Sequence, residues 1–313
     1  MSKNTTVVTG GAGFIGSHLA EELLKRGYQV MVLDDLTTGK RANIERILAQ
    51  DDVQFIEGSV TDLSLLNNLF QDVSYVFHLA AIPSVPRSIE NPLASHNVNM
   101  TGTLNVLLAA RGNKVKKVVY ASSCAVYGDT PALPKSEDTS PDPRSPYAVT
   151  KLAGEYYCQV FSCILGLPTV CLRYFNVYGP RQDPGSEYAA AIPTFIDRLL
   201  KGEPPTIFGD GEQTRDFVFV KDATEASVLA AESDATGVFN VGTGRGVSIN
   251  DLVRLIARLM NKDSKPIYEG PRFGDVKHSF ADISEARQFG YAPGCSLEEG
   301  LKQTMTGFGQ WLA

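Results

Sequence analysis

Five cysteines, at positions 124, 158, 163, 171 and 295, form no CxxC pair, so neither a disulfide framework nor a zinc site is indicated. Four histidines stand apart at 18, 78, 96 and 278 with no HExxH motif, which argues against a metallohydrolase. A basic excess is missing too. The formal charge is -6, and a nucleic-acid surface calls for the opposite sign. The one basic cluster, Lys114-Val115-Lys116-Lys117, runs into Val118-Val119-Tyr120 and reads as a solvated strand entrance. No apolar run approaches membrane-spanning length, and Val7-Val8 meets glycines too soon for a signal peptide. The expectation is a cytoplasmic protein with no nucleic-acid and no membrane partner.

What is present is ordinary for a globular chain. With 313 residues and 43% hydrophobic content, there is enough to build a nucleotide domain and a smaller substrate domain. Thr5–Thr9, Val30–Leu33, Val53–Ile56, Tyr75–Leu79 and Lys117–Tyr120 read as buried strands. Helical patterns separate them, among them Ile15-Leu19-Leu23 and the stretch from Val98 to Arg111. That alternation predicts an α/β fold with a doubly wound parallel sheet of Rossmann type. After about residue 175 the texture turns to Pro, Gly and aromatics. The predicted division is therefore 1–175 for dinucleotide binding and 176–313 for a smaller α/β substrate domain. Segments near 217–243, with strands at Phe217–Val220 and Val238–Val241, are expected to return to the first domain. Ser248 caps a helix marked by Leu252, Leu255, Ile256 and Leu259.

Gly10, Gly13 and Gly16 sit between the first strand and the first helix, with the GxxGxxG spacing of a loop that lets backbone amides approach a pyrophosphate. Asp34 ends the next strand, where a carboxylate accepts from the adenosine ribose and repels a 2′-phosphate. NAD is thus favoured over NADP, with Arg41 keeping the second open.

Tyr147 and Lys151 lie one helical turn apart, behind the helix start Ser145-Pro146. A tyrosine acting as base near neutral pH needs roughly 4–5 kcal/mol of preferential anion stabilisation. An ammonium about 4 Å away supplies about 4 kcal/mol at an effective dielectric near 20. Ser122 and Ser123 follow the fifth strand, at the carboxyl edge where such sheets bind ligands.

GGAGFIG, ASSCAVYG, SPYAVTK and RYFNVYGPRQDP together resemble the extended short-chain dehydrogenase/reductase family, and within it the UDP-sugar 4-epimerases, from about residue 4 to 295. The resemblance implies NAD as cofactor, a UDP-sugar as substrate and a homodimer built on helices near 95–111 and 148–165. Tyr147 would take the 4-hydroxyl proton, Lys151 would tune it and bind the nicotinamide ribose, and Ser123 would bond O4. Phe14, Ile15, Asp62, Asn99 and Tyr174 would join the cofactor site. Ser122, Cys124, Asn176, Arg215, Arg272, Asp275 and Ser279 would meet the substrate. Ser59 replaces the Asp that many relatives use for the adenine amine, leaving Asp62 nearby. Cys124-Ala125 stand where 4,6-dehydratases carry an acid pair, which favours epimerisation over dehydration. Ser279, where glucose-restricted relatives often have Tyr, leaves room for a 2-acetamido group, and Ser84–Ser88 resembles the same broader class. UDP-glucuronate 4-epimerisation and 4,6-dehydration remain the alternative chemistries. A non-catalytic NAD-binding sensor is the remote one.

Overall fold

The computed structural model describes residues 4–185, 190–271 and 276–311. In chain order the first half runs β1 (Thr5–Thr9), α1 (Phe14–Lys25), β2 (Gln29–Asp34), β3 (Val53–Glu57), α2 (Leu63–Leu69), β4 (Val73–His78), α3 (Val85–Glu90), α4 (Pro92–His96), α5 (Gly102–Gly112), β5 (Lys117–Ser123), α6 (Pro146–Cys163) and β6 (Thr169–Tyr174). The second half runs β7 (Asn176–Tyr178), α7 (Ala191–Leu200), β8 (Thr206–Phe208), β9 (Thr214–Arg215), β10 (Phe217–Phe219), α8 (Val220–Glu232), β11 (Gly237–Val241), β12 (Val247–Ser248), α9 (Ile249–Leu259), β13 (Ile267–Glu269), β14 (His278–Ser279) and α10 (Leu297–Trp311).

Seven strands form one parallel sheet in the order β11-β6-β5-β4-β1-β2-β3. Both faces are covered, and consecutive residues serve opposite layers as the strand period of two requires. Val8, Val32 and Val119 pack with Leu19 and Leu23 of α1 and Ala223 and Ala226 of α8. Val7, Leu33 and Val118 pack with Leu66 of α2, Val106 and Leu107 of α5 and Phe161 of α6. This is the Rossmann arrangement expected from the apolar runs. Of the segments expected to return, Gly237–Val241 joins the sheet as its edge, whereas Phe217–Phe219 pairs with Asn176–Tyr178 outside it.

A separate core, with Ile192, Phe195 and Ile196 of α7, Ile256 of α9 and Leu301 of α10, holds the small sheets of the C-terminal part. The expected helix at 98–111 is longer than its pattern: α4 and α5 are joined by a π-helical turn at Asn97–Thr101. Among the described residues no helix is long and apolar enough to cross a membrane.

Candidate active site

The glycine loop is built by exclusion. Gly10 has φ +69 and a Cβ there would lie 2.7 Å from Ala80 N; a Cβ on Gly16 would lie 2.2 Å from the Gly10 carbonyl oxygen. Gly13 is the N-cap of α1 and offers no side-chain cap, so first-turn amides are left for an anion. Phe14 and Ile15 open α1 and pack against the C-terminal core, with Phe14 edge-on to His18 at 5.9 Å. Asp34 is buried at the end of β2, and its oxygens accept from Ala12 N and Leu36 N, both at 2.9 Å. Each of those oxygens keeps a further lone pair for a ligand hydroxyl. A cradle that no Cβ fits, an uncapped helix start and a buried carboxylate together suit a dinucleotide.

The β5 edge and α6 bring the redox residues together. Ser145 caps α6 by accepting from Ala148 N at 3.2 Å, and Pro146 occupies the first turn. Lys151 is buried, donates to the Ala121 carbonyl at 2.7 Å, and lies 5.0 Å from the Tyr120 ring centre and 5.9 Å from that of Tyr147. Burial pushes the Tyr147 phenol up to about 12, opposed by hydrogen bonding with Ser123. Burial draws the Lys151 amine down to about 8. The expected lowering of the phenol is thus not produced by protein groups alone, because desolvation of the anion outweighs them.

Several expected residues are turned elsewhere. Successive strand residues point in different directions, so Ser122 goes beneath the middle of α6, to Glu155, while Ser123 meets Tyr147 at the start of that helix. The Ser122 hydroxyl donates to Glu155, so the buried Ser122 braces the strand against the helix. Asn99 is buried with its amide bonded to Ile82 N, Ile82 O and Thr150 Oγ1, so it holds the loop after β4 against α6. The Tyr174 hydroxyl pairs with Ser227 Oγ at 2.7 Å, beneath α8. Asp62 is the N-cap of α2, and one oxygen is taken up by Leu65 N at 2.9 Å.

Beyond the sheet edge a cavity of about 310 Å³ is lined by Asn176, Phe195, Phe208, Gln213, Arg215 and Phe217 among others. Asn176 Oδ1 and Gln182 Oε1 are buried with no hydrogen-bond partner among the described residues, which leaves polar atoms for a ligand. Ser279 is buried and stands directly opposite Arg215 in the β9–β14 ladder. Arg215 also bears on Cys124, where burial pushes the thiol up to about 12 and the arginine opposes it. Ser123 pairs with Tyr174 in the β5–β6 ladder, and Asn176 of the cavity follows Tyr174 by two residues. Arg272 and Asp275 lie outside the described residues.

Three supporting residues were given no role by the sequence patterns, although Ser88 lies in the Ser84–Ser88 segment. Ser88 accepts from Tyr147 N, Glu155 pairs with Arg173, and Asp216 gathers Thr243 N, Thr243 Oγ1, Gly244 N and Ala281 N at 2.6–3.1 Å. Asp216 had the one local signal, its place beside Arg215 in TRDF.

The profile of the NAD dependent epimerase/dehydratase family matches residues 6–242. The UDP-glucose 4-epimerase of Mycolicibacterium smegmatis is 41% identical over 97% of this chain and 98% of its own. The UDP-N-acetylglucosamine 4-epimerase of Methanobrevibacter ruminantium, solved with UDP-N-acetylmuramic acid, superposes with a TM-score of 0.96 at 42% identity over 99% of this chain and 100% of its own. The UDP-glucuronic acid 4-epimerase of Bacillus cereus, solved with UDP-glucuronic acid and NAD, gives 0.91 at 36% over 98% and 99%. With its glycine cradle, its Ser123–Tyr147–Lys151 edge and these likenesses over nearly its whole length, the chain belongs to the NAD-dependent epimerase/dehydratase family, among the UDP-sugar 4-epimerases.

Proposed function

We propose that this enzyme inverts C4 of UDP-hexoses, both UDP-glucose/UDP-galactose and UDP-N-acetylglucosamine/UDP-N-acetylgalactosamine, through a 4-keto sugar. The observation that carries the reading is that Ser123, beside Tyr147, pairs with Tyr174 across the β5–β6 ladder, two residues before Asn176 of the cavity that also holds Arg215. NAD, when bound, would supply the hydride acceptor for C4 and, in its oxidised form, positive charge favouring the phenolate. Gly10, Gly13, Gly16 and the start of α1 hold its pyrophosphate, and Asp34 its adenosine ribose. Tyr147 takes the 4-hydroxyl proton and returns it, Ser123 steadies O4, and Lys151 provides the fixed positive charge. Arg215 and Asn176 hold the diphosphate end, while Phe195, Phe208 and Phe217 wall the cavity with apolar surface suited to a base and sugar. Cys124 and Ala125 bring no carboxylate for proton traffic at C5 and C6, which a dehydratase needs.

The small Ser279 beside Arg215 supports the wider substrate range. Relatives that act on UDP-glucuronate stand at 36% identity, so the sugar is decided by experiment. The purified protein, without added cofactor, is given UDP-galactose, UDP-N-acetylgalactosamine and UDP-glucuronate separately, and products are resolved by NMR. Formation of the gluco-epimers of the first two is expected. Turnover of UDP-glucuronate alone, or a 4-keto-6-deoxy product, overturns the proposal.

The same reading includes a homodimer. Val149, Tyr156 and Val160 of α6 and Leu108 of α5 expose large apolar side chains on the two helices expected to pair, with Leu93 of α4 80% exposed near them. Sedimentation at micromolar concentration should give twice the chain mass, and Tyr156→Glu should shift it toward the monomer.

A further inference from the structure

The catalytic helix carries a second buried charge that the hydride chemistry does not use. Glu155 follows Lys151 by one turn of α6 and is 3% exposed. Its Oε1 accepts from the Ser122 hydroxyl and from Arg173 Nε at 2.9 Å, and its Oε2 accepts from Arg173 Nη2 at 2.7 Å. Arg173 is itself buried, with its guanidinium 4.7 Å from the Tyr127 ring centre and Nη1 donating to the Glu137 carbonyl at 3.4 Å. Ser122 and Arg173 are direct partners in the β5–β6 ladder. One carboxylate therefore ties the carboxyl ends of two neighbouring strands to the helix that carries Tyr147 and Lys151.

Stability alone does not account for such a pair. Replacing a buried ion pair by apolar groups of similar shape is often neutral or stabilising, whereas breaking one half is costly. What the pair adds is direction: two bonds in the plane of one guanidinium and a third from Ser122 define where α6 sits on the strand ends. Ser123 follows Ser122 directly, so a shift of that brace is a shift of Ser123 against Tyr147.

We propose that Glu155 is a positioning residue of the redox centre, bracing Ser123 against the Tyr147–Lys151 face of α6 and presenting Lys151 with a fixed negative charge. This rests on the reading of Tyr147 and Lys151 as the redox pair. Lys151 is faced by Tyr120 from β5, by His78 from β4 and by Tyr147, Glu155 and Cys158 from its own helix, while β6 brings Arg173 to Glu155 and Cys171 to Cys158. Burial lowers the Lys151 amine, and Cys158 and then Glu155 oppose it. A lysine that stabilises a phenolate has to stay protonated, so removing the Glu155 charge is felt first on the alkaline side.

The test compares wild type, Glu155→Gln and Ser122→Ala by the pH profile of kcat with UDP-galactose and by NMR titration of ¹⁵Nζ-labelled lysine. Glu155→Gln is expected to lower kcat roughly tenfold with KM within about twofold. Its alkaline limb and the Lys151 titration should both move down by about one pH unit. Ser122→Ala keeps the charge and should slow kcat by a few-fold with the limb in place. Because Glu155→Gln leaves Arg173 unpaired, the double variant E155Q/R173Q removes both charges and should recover folding without recovering the wild-type profile. A wild-type rate and profile in either the single or the double variant overturns the proposal, as does an unmoved Lys151 titration. If the wild type turns over no UDP-sugar, the epimerase reading falls, while the Lys151 titration still decides the part assigned to Glu155.

Discussion

The backbone N–H of Tyr147 donates to the hydroxyl of Ser88 across 3.1 Å, so the first turn of the catalytic helix is capped from another element. Ser88 is fully buried in α3 and its own proton goes to the Val85 carbonyl at 2.6 Å. Tyr147 N is one of the amides that an α-helix leaves unsatisfied at its start, and Ser145 already serves Ala148. Ser88→Ala strands that amide and should cost about 1–3 kcal/mol in urea unfolding. It should also lower kcat several-fold with little change in KM, since the residue it supports is the proposed base. Unaltered stability and rate would show that the contact is incidental.

Gly16→Ala should disable cofactor binding. The added Cβ would come within 2.2 Å of the Gly10 carbonyl oxygen and 2.8 Å of the Gly11 Cα, and both are backbone. The loop must open to admit it, which carries the amides away from the pyrophosphate position. Calorimetric titration with NAD should show affinity lowered by more than about tenfold, a loss above 1.4 kcal/mol. Binding at wild-type strength would refute the assignment of this loop.

Ser279→Tyr should separate the substrates. Ser279 is buried opposite Arg215, so a phenol there must project toward the cavity or displace β14. Turnover of UDP-N-acetylgalactosamine should fall strongly while UDP-galactose is still converted. Equal losses for both sugars would point to disruption of β14, and no loss for the N-acetyl sugar would remove the gate.

Acid should destabilise the protein through two histidines before most carboxylates titrate. Burial, helped by the Lys151 charge, holds His78 at about 3; burial, helped by Arg181, holds His18 at about 4. Both are then neutral when folded and protonate near 6.5 when unfolded, so the unfolded chain binds more protons as pH drops. Their contribution is complete above about 6.5 and is lost at about 1.4 kcal/mol per pH unit for each histidine until the folded value is reached. His78 lies between Thr9 Oγ1 at 2.8 Å and Thr103 Oγ1 at 2.9 Å, bonds that a glutamine can partly replace. Unfolding free energies between pH 7 and 5 should slope less steeply in His78→Gln. An equal slope would rule His78 out as a source.

Much of the site was legible because its signals are local. The spacing of Gly10, Gly13 and Gly16 directly encodes a turn that tolerates no Cβ, and Tyr147 and Lys151 share a helix face by their separation alone. Strand alternation sends Ser122 and Ser123 in different directions, but which helix residue meets Ser122 is set by packing, where Glu155 takes its hydroxyl. The apolar run at 217–220 shows that a strand is buried and not which strand it meets, and it pairs with Asn176–Tyr178 instead of returning to the large sheet.

The sequence by itself determined the Rossmann class, the glycine turn before α1 and the shared helix of Tyr147 and Lys151, since short-range spacing suffices for these. Only the tertiary structure decided that Asn99 and Tyr174 turn into the protein, that Ser279 stands against Arg215, and that Ser88 holds α6 at its first turn and Glu155 at its middle. Those relations join residues whose positions along the chain carry no mutual signal. They arise when the packed layers bring distant strand ends and helix faces together and each buried polar group must find its partner there.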